Sequence, residues 1–264
     1  MPEHEIRAVA DNLLQALQFF GRARADGEIL DIAGASLIFC GLNYAAFNAA
    51  VQARPVEGDK AELTRLIRAS ATQFDSRNLR WTYWLCDDFL SRPLRQEAPS
   101  IFGRFGLRPL TEAPGMYAAN LAPPHRPLPP IEVRPVADER TRAAFADIMS
   151  ITFEIPHSVS AAVYGMERAW LGDFRGYVGY SNGQAVTTAA SSVTGAVIGL
   201  YSVATLPQYR RLGFAEAIMR KVVEEARATH GIEHTVLQAT PSGLSLYEQM
   251  GYRTVTKFRV YIAD

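Results

Sequence analysis

The sequence predicts a mixed α/β fold made of two tandem halves, each a twisted mixed sheet flanked by helices. Three observations predict it. Residues 131–264 alternate strand-period and helix-period segments in the order β-α-α-β-β-β-α-β-α-β. Residues 120–130 (NLAPPHRPLPP) carry five prolines, which lack a backbone N–H and favour extended geometry, so they read as a stiff linker. Residues 28–121 repeat, less regularly, the last two-thirds of the succession that follows the linker. The division expected is therefore 1–121, a linker at 122–130, and 131–264.

In the first half, strands are expected at 29–32 and 36–40, a helix at 61–74, a strand at 81–86, a helix near 99–105 and a strand at 116–121. Residues 101–110 can be laid on residues 246–255. Only Gly106/Gly251 and Arg108/Arg253 are identical, but the apolar pattern matches. Each segment is a helix end, a glycine at the C-cap and a strand.

In the second half, 131–136 is a strand, and a helix starts at Asp138 with Ala143, Phe145, Ile148 and Met149 on one face. Pro156 should end it, and Ser158 should cap a second helix running to Leu171. Strands at 177–181 and 185–193 flank Asn182-Gly183, the strongest short hairpin signal. A third strand, 197–205, follows the turn at Thr194-Gly195. A helix at 212–229 places Phe214, Ile218, Val222 and Ala226 on one face. A strand at 234–239, a short helix at 242–250 and a strand at 252–262 complete the chain.

Composition limits the function classes. Lys plus Arg and Asp plus Glu both number 27, so the formal net charge is zero and the whole-chain basic footprint of a nucleic-acid binder is missing. Nucleic acid is not an expected partner. The two cysteines, Cys40 and Cys86, sit in apolar runs and read as small buried hydrophobes in a reducing compartment. The N-terminus MPEHE lacks a signal-like apolar region, and no run approaches the roughly 18 apolar residues of a membrane span. The expected setting is the cytoplasm, away from membranes. No His, Cys, Asp or Glu cluster has metal-ligand spacing, so no metal is expected.

One segment carries chemistry. The apolar strand LYSVAT (200–205) leads into Pro207-Gln-Tyr-Arg-Arg-Leu-Gly-Phe-Ala215, and a helix begins within that loop. A helix start has unpaired N–H groups and partial positive charge. Gly213 lacks the Cβ that would hinder close approach, and Ala215 is the next smallest choice. The amides of Leu212, Gly213, Phe214 and Ala215 can then cradle a pyrophosphate, with Arg210 and Arg211 adding charge.

The segment and its element order resemble the GNAT-type N-acetyltransferase superfamily. Arg210, Gly213 and Ala215 satisfy the family's Arg/Gln-x-x-Gly-x-Gly/Ala signature. Leu246-Tyr-Glu-Gln-Met-Gly-Tyr252 is similar to its Leu-Tyr-Glu-Lys-Leu-Gly-Phe segment. The resemblance covers 131–264 firmly and 28–121 weakly. It implies acetyl-CoA as acyl donor and a small-molecule or peptide amine as acceptor, joined by direct attack in a ternary complex. It implies that the strand 197–205 splays from 234–239, so that Val203, Ala204 and Thr205 meet the pantetheine arm by strand addition. A backbone N–H near Val203 would stabilise the oxyanion, and Tyr247 would act as general acid toward the departing thiolate. Phe102 stands where Tyr247 stands and residues 55–60 supply no full glycine loop, so the resemblance implies a degenerate first half.

The general base stays open among Glu154, His157 and Tyr201. Phe153, Tyr164 and Trp170 hint at a partly apolar acceptor wall, and core packing explains them equally well. Two other readings of the same fold also stay open: a non-catalytic acyl-CoA-binding or regulatory module, and a transferase using an aminoacyl-tRNA or carrier-protein donor. Monomer and homodimer are equally compatible with the sequence.

Overall fold

The computed structural model describes residues 2–263. It opens with α1 (Glu3–Arg22), a helix not among those expected. The signal is the recurrence of Val9, Leu13 and Ala16, joined by Phe19, all buried on one face. Next come β1 (Glu28–Ile32), β2 (Ala35–Phe39) and β3 (Ala49–Gln52). β3 was also absent from the expectations, because four residues reading AAVQ show no alternation. α2 (Lys60–Asp75), β4 (Thr82–Cys86), α3 (Arg92–Gly103) and β5 (Leu107–Ala118) follow.

α3 starts seven residues before the expected 99. Ser91 caps it, Pro93 fills the first-turn place that suits proline, and Pro99 lies inside. Pro99 cannot donate to the Arg95 carbonyl, and Arg259 Nη1 takes that carbonyl at 3.0 Å. β5 begins well before the expected 116, with Arg108 to Glu112 exposed. Strand pairing rather than burial extends it, and an exposed run gives no hydrophobic signal.

Beyond the proline-rich segment lie β6 (Glu132–Pro135), α4 (Glu139–Phe153), α5 (His157–Tyr164), β7 (Phe174–Ser181), β8 (Gln184–Thr194), β9 (Val197–Thr205), α6 (Phe214–His230), β10 (His234–Gln238), α7 (Leu244–Gln249) and β11 (Arg253–Ala263). Asp138 and Thr141 form a capping box at α4. α4 ends with Glu154 in the left-handed region, so Pro156 is the N-cap of α5 rather than the terminator of α4. α5 is shorter than expected, because the chain leaves it at Gly165 for a 3-10 turn at Glu167–Trp170. Asn182 (φ 49°) and Gly183 (φ 76°) both adopt positive φ, as a two-residue hairpin turn demands.

The chain forms two compact units. The first holds residues up to Gly115 together with those from Thr254 onward; the second holds Met116–Arg253. This differs from a cut at the linker in the placement of the last strand. β11 pairs antiparallel with β4, Tyr261 opposite Tyr83, so the final strand completes the first unit. The last residues of β5, Met116–Ala118, lie in the second.

In the first unit the strand order is β1-β2-β3-β4-β11-β5, with β3 and β4 parallel. Its core is aromatic. Phe74 stacks on Trp81 at 4.5 Å between centroids and Phe102 on Tyr261 at 3.9 Å. In the second unit the order runs β10-β9-β8-β7-β6. One apolar cluster gathers Ile218, Met219 and Val222 of α6 with Leu200, Leu237 and Tyr247, and Leu121, Ile131 and Val203 pack against it partly buried. Cys40 and Cys86 are both free and buried.

Candidate active site

Two neighbouring strands of the second unit part company. β9 and β10 are parallel partners for three residues, Val197–Gly199 against His234–Val236. From Leu200 on, β9 is paired only with β8. Its backbone toward β10 is thereby open over the segment expected to meet the donor. The β8–β9 register breaks where Ser202 and Val203 oppose Ala189. Ser202 lies at φ 49°, and Thr188 Oγ1 holds its carbonyl at 2.8 Å. This is a bulge, which re-aims the strand at that point. Nothing in LYSVAT announces it. Ala204 and Thr205 rejoin the ladder opposite Thr188 and Thr187.

β9 delivers the chain into the arginine loop. Arg210 Nε bonds the Thr205 carbonyl at 3.2 Å, and Arg211 is held at φ 63°. Gly213 is the N-cap of α6 at φ 94° and supplies no side-chain cap. Among the described residues no backbone acceptor takes the amides of Leu212, Gly213, Phe214 or Ala215. The nearby Glu216 carboxylate is turned to Arg220 at 2.7 Å. Phe214 is buried, Tyr209 meeting it edge-on, while Arg210, Arg211 and Leu212 are exposed.

Glycine at 213 has two reasons within the protein itself. A Cβ there would lie 3.0 Å from Pro129 Cδ and 3.6 Å from an Arg126 guanidinium nitrogen. The proline-rich segment packs directly against this position. Left-handed backbone and close linker packing each favour the missing side chain.

The first unit has the same strand-to-helix step, from β3 to α2, with opposite electrostatics. Asp59 caps α2 by accepting from Ala61 N at 2.8 Å, and Glu62 takes the Gly58 amide at 2.7 Å. Its own carboxylates satisfy the helix start that α6 leaves uncapped, and they would repel a phosphate.

Tyr247 is buried on α7, its ring against Gly243. Burial pushes its hydroxyl up to about 12. Gly106 and Gly251 both take positive φ after their helices, and Phe102, which the sequence overlay sets against Tyr247, stacks on Tyr261. Glu154 stands exposed after α4. His157 is engaged with Asp147 at 3.0 Å. Burial pushes Tyr201 far above the ordinary tyrosine range, which suits it to keep a proton rather than take one. Tyr164 is buried and Trp170 half-buried, both packed around Phe145, whereas Phe153 is 43 % exposed. Among the described residues there is no group of three or more His, Cys, Asp or Glu placed to hold a metal ion, and no helix is long and apolar enough to cross a membrane.

Comparison with known proteins bears on the fold. Residues 172–254 match the family model described as the acetyltransferase (GNAT) domain. The fold is that of the GNAT acetyltransferases. A GCN5-related N-acetyltransferase from Kribbella flavida is similar over 97 % of this chain and 95 % of its own, at TM-score 0.72 and 18 % identity. Another from Sphaerobacter thermophilus aligns over 99 % and 93 %, at 0.59 and 17 %. A tandem GNAT protein from the clavulanic acid biosynthesis pathway aligns over 99 % and 95 %, at 0.59 and 10 %. At these identities the likeness concerns the GNAT fold. Comparison with curated proteins gives no match.

Proposed function

We propose that this protein is an acetyl-CoA-dependent N-acetyltransferase acting on a primary amine in the second unit. One observation carries the reading: an uncapped helix start flanked by Arg210 and Arg211 lies at the end of a strand whose far edge is open. The amides of Leu212, Gly213, Phe214 and Ala215 would hold the pyrophosphate. Val203, Ala204 and Thr205 would pair with the pantetheine amides, which β10 has left room for. The uncapped start at α6 and the carboxylate-capped start at α2 support one donor site rather than two.

In the proposed reaction the amine nitrogen attacks the thioester carbonyl, forming C–N and placing charge on the carbonyl oxygen near the Val203 amide. Collapse breaks C–S and yields amide and CoA thiol, the amine's proton ending on sulfur. Tyr247 fits that transfer as a relay. With its pKa near 12, a full proton transfer to a thiolate of ordinary pKa about 8.5 would be uphill by about 5 kcal/mol. It therefore donates to sulfur as it receives the amine's proton. Glu154, exposed just after α4, is the carboxylate proposed to help the amine shed its proton. An α-amine needs only about 1 kcal/mol to lose its proton at pH 7, against about 4–5 for a lysine amine, so α-amine acceptors are favoured. The buried free cysteines fit the cytoplasm as the setting.

The test is acetyl-CoA protection in thermal unfolding, then an amine panel read by thiol release. Protection with thiol release supports the reading. Protection without turnover on any amine points to a binding module, and no protection overturns it.

A further inference from the structure

The proline-rich segment lies directly on the donor loop. Its start is fixed by Ala122, whose amide donates to the Met250 carbonyl at 2.8 Å and whose carbonyl takes Arg220 Nη2 at 2.6 Å. Gly251 leaves room for it, since a Cβ there would meet the Ala122 amide at 3.1 Å. Its end is fixed by Ile131 in the apolar cluster of α6. Between these anchors Pro129 sits against Gly213, and Arg126 Nη2 donates to the Arg211 carbonyl at 2.9 Å. Arg211 is the residue held at φ 63°. The side chain that bonds its carbonyl comes from 85 positions earlier in the chain.

We propose that Arg126 is a donor-binding residue, which steadies the Arg211 carbonyl and brings a third guanidinium to the phosphate loop. The inference rests on the acyl-CoA reading above. Among the described residues, none of Arg126, Arg210 and Arg211 forms an ion pair with a carboxylate. Arg126 thus adds a guanidinium 3.6 Å from the Gly213 Cβ position, beside a loop that already carries Arg210 and Arg211, in a chain of zero net charge. Guanidinium geometry matches phosphate oxygens. The ligand this suits is a thioester carrying a pyrophosphate and a separate ribose phosphate, more charge than two arginines and four amides balance. The prolines keep the segment extended, so Arg126 is presented with little ordering cost.

The experiment measures acetyl-CoA affinity by calorimetry and steady-state kinetics for wild type, Arg126→Gln and Arg126→Lys. Arg126→Gln is expected to raise Kd and KM for acetyl-CoA about tenfold, with the amine KM unchanged and kcat within about twofold. Arg126→Lys keeps the charge but not the fork and should recover part of the loss. The same measurements with the 3′-dephospho donor should show a smaller effect of Arg126→Gln. Wild-type donor affinity in Arg126→Gln, or equal rises in both KM values, overturns the assignment while leaving the acyl-CoA reading intact. If wild type itself binds no acetyl-CoA, the acyl-CoA reading falls and this inference falls with it.

Discussion

Replacing Gly213 with alanine adds a single methyl at the point where the helix start, the arginine loop and the proline-rich segment meet. The backbone there lies at φ 94°, and a left-handed conformation costs a residue with a Cβ about 1–2 kcal/mol. The new methyl would stand 3.0 Å from Pro129 Cδ. A rigid ring must give way by several tenths of an ångström, at about 1 kcal/mol more. The expected loss is about 2–3 kcal/mol, or roughly 5–10 °C in Tm for a chain of this size. Relaxation must also move the loop amides, so donor affinity should fall about tenfold. With wild type at about 100 times its Kd of acetyl-CoA, bound donor adds about 2.7 kcal/mol, and a tenfold weaker site adds about 1.4. The ligand-induced Tm rise should therefore halve in Gly213→Ala. Differential scanning fluorimetry with and without acetyl-CoA reads both numbers. An alanine variant with wild-type Tm and an undiminished acetyl-CoA shift would refute the packing argument and the placement of the donor.

Tyr247→Phe should lower kcat by about 10–100-fold with little change in the acetyl-CoA KM, measured by thiol release; an unchanged kcat removes the proton relay. Burial raises Tyr247 to about 12, so the folded state keeps a proton that the unfolded chain releases above pH about 10. Stability should be full below that pH and decline as pH rises toward 12, with Tyr247 contributing about 2–3 kcal/mol of the decline. Denaturant unfolding across pH 8–12 would show this, and Tyr247→Phe should flatten part of the slope. Tyr177, raised by burial and by Glu225, loses stability in the same direction. Asp59→Ala should cost about 1 kcal/mol through loss of the α2 cap, without altering acetyl-CoA affinity; a changed affinity would place a donor site in the first unit.

What the sequence determined by itself is local. The period of each amphipathic segment located most strands and helices, and β9 falls at the expected 197–205. Asn182-Gly183 specified its turn. The arginine loop and the 246–252 segment pointed to the second half, because helix starts and glycine turns are governed by residues a few positions apart. Asp59 and Glu62, which make the α2 start a poor phosphate site, are local in the same way. The tertiary structure decided what depends on distant partners. β11 pairs with β4, some 170 positions away, because a strand edge is satisfied by whichever backbone the fold brings beside it. The Ser202 bulge and the opening between β9 and β10 follow from pairing on both sides of one strand, which its own residues do not encode. Arg126 read as part of a linker. Only packing of that linker on α6 set its guanidinium against the Arg211 carbonyl and gave Gly213 a further reason to be glycine.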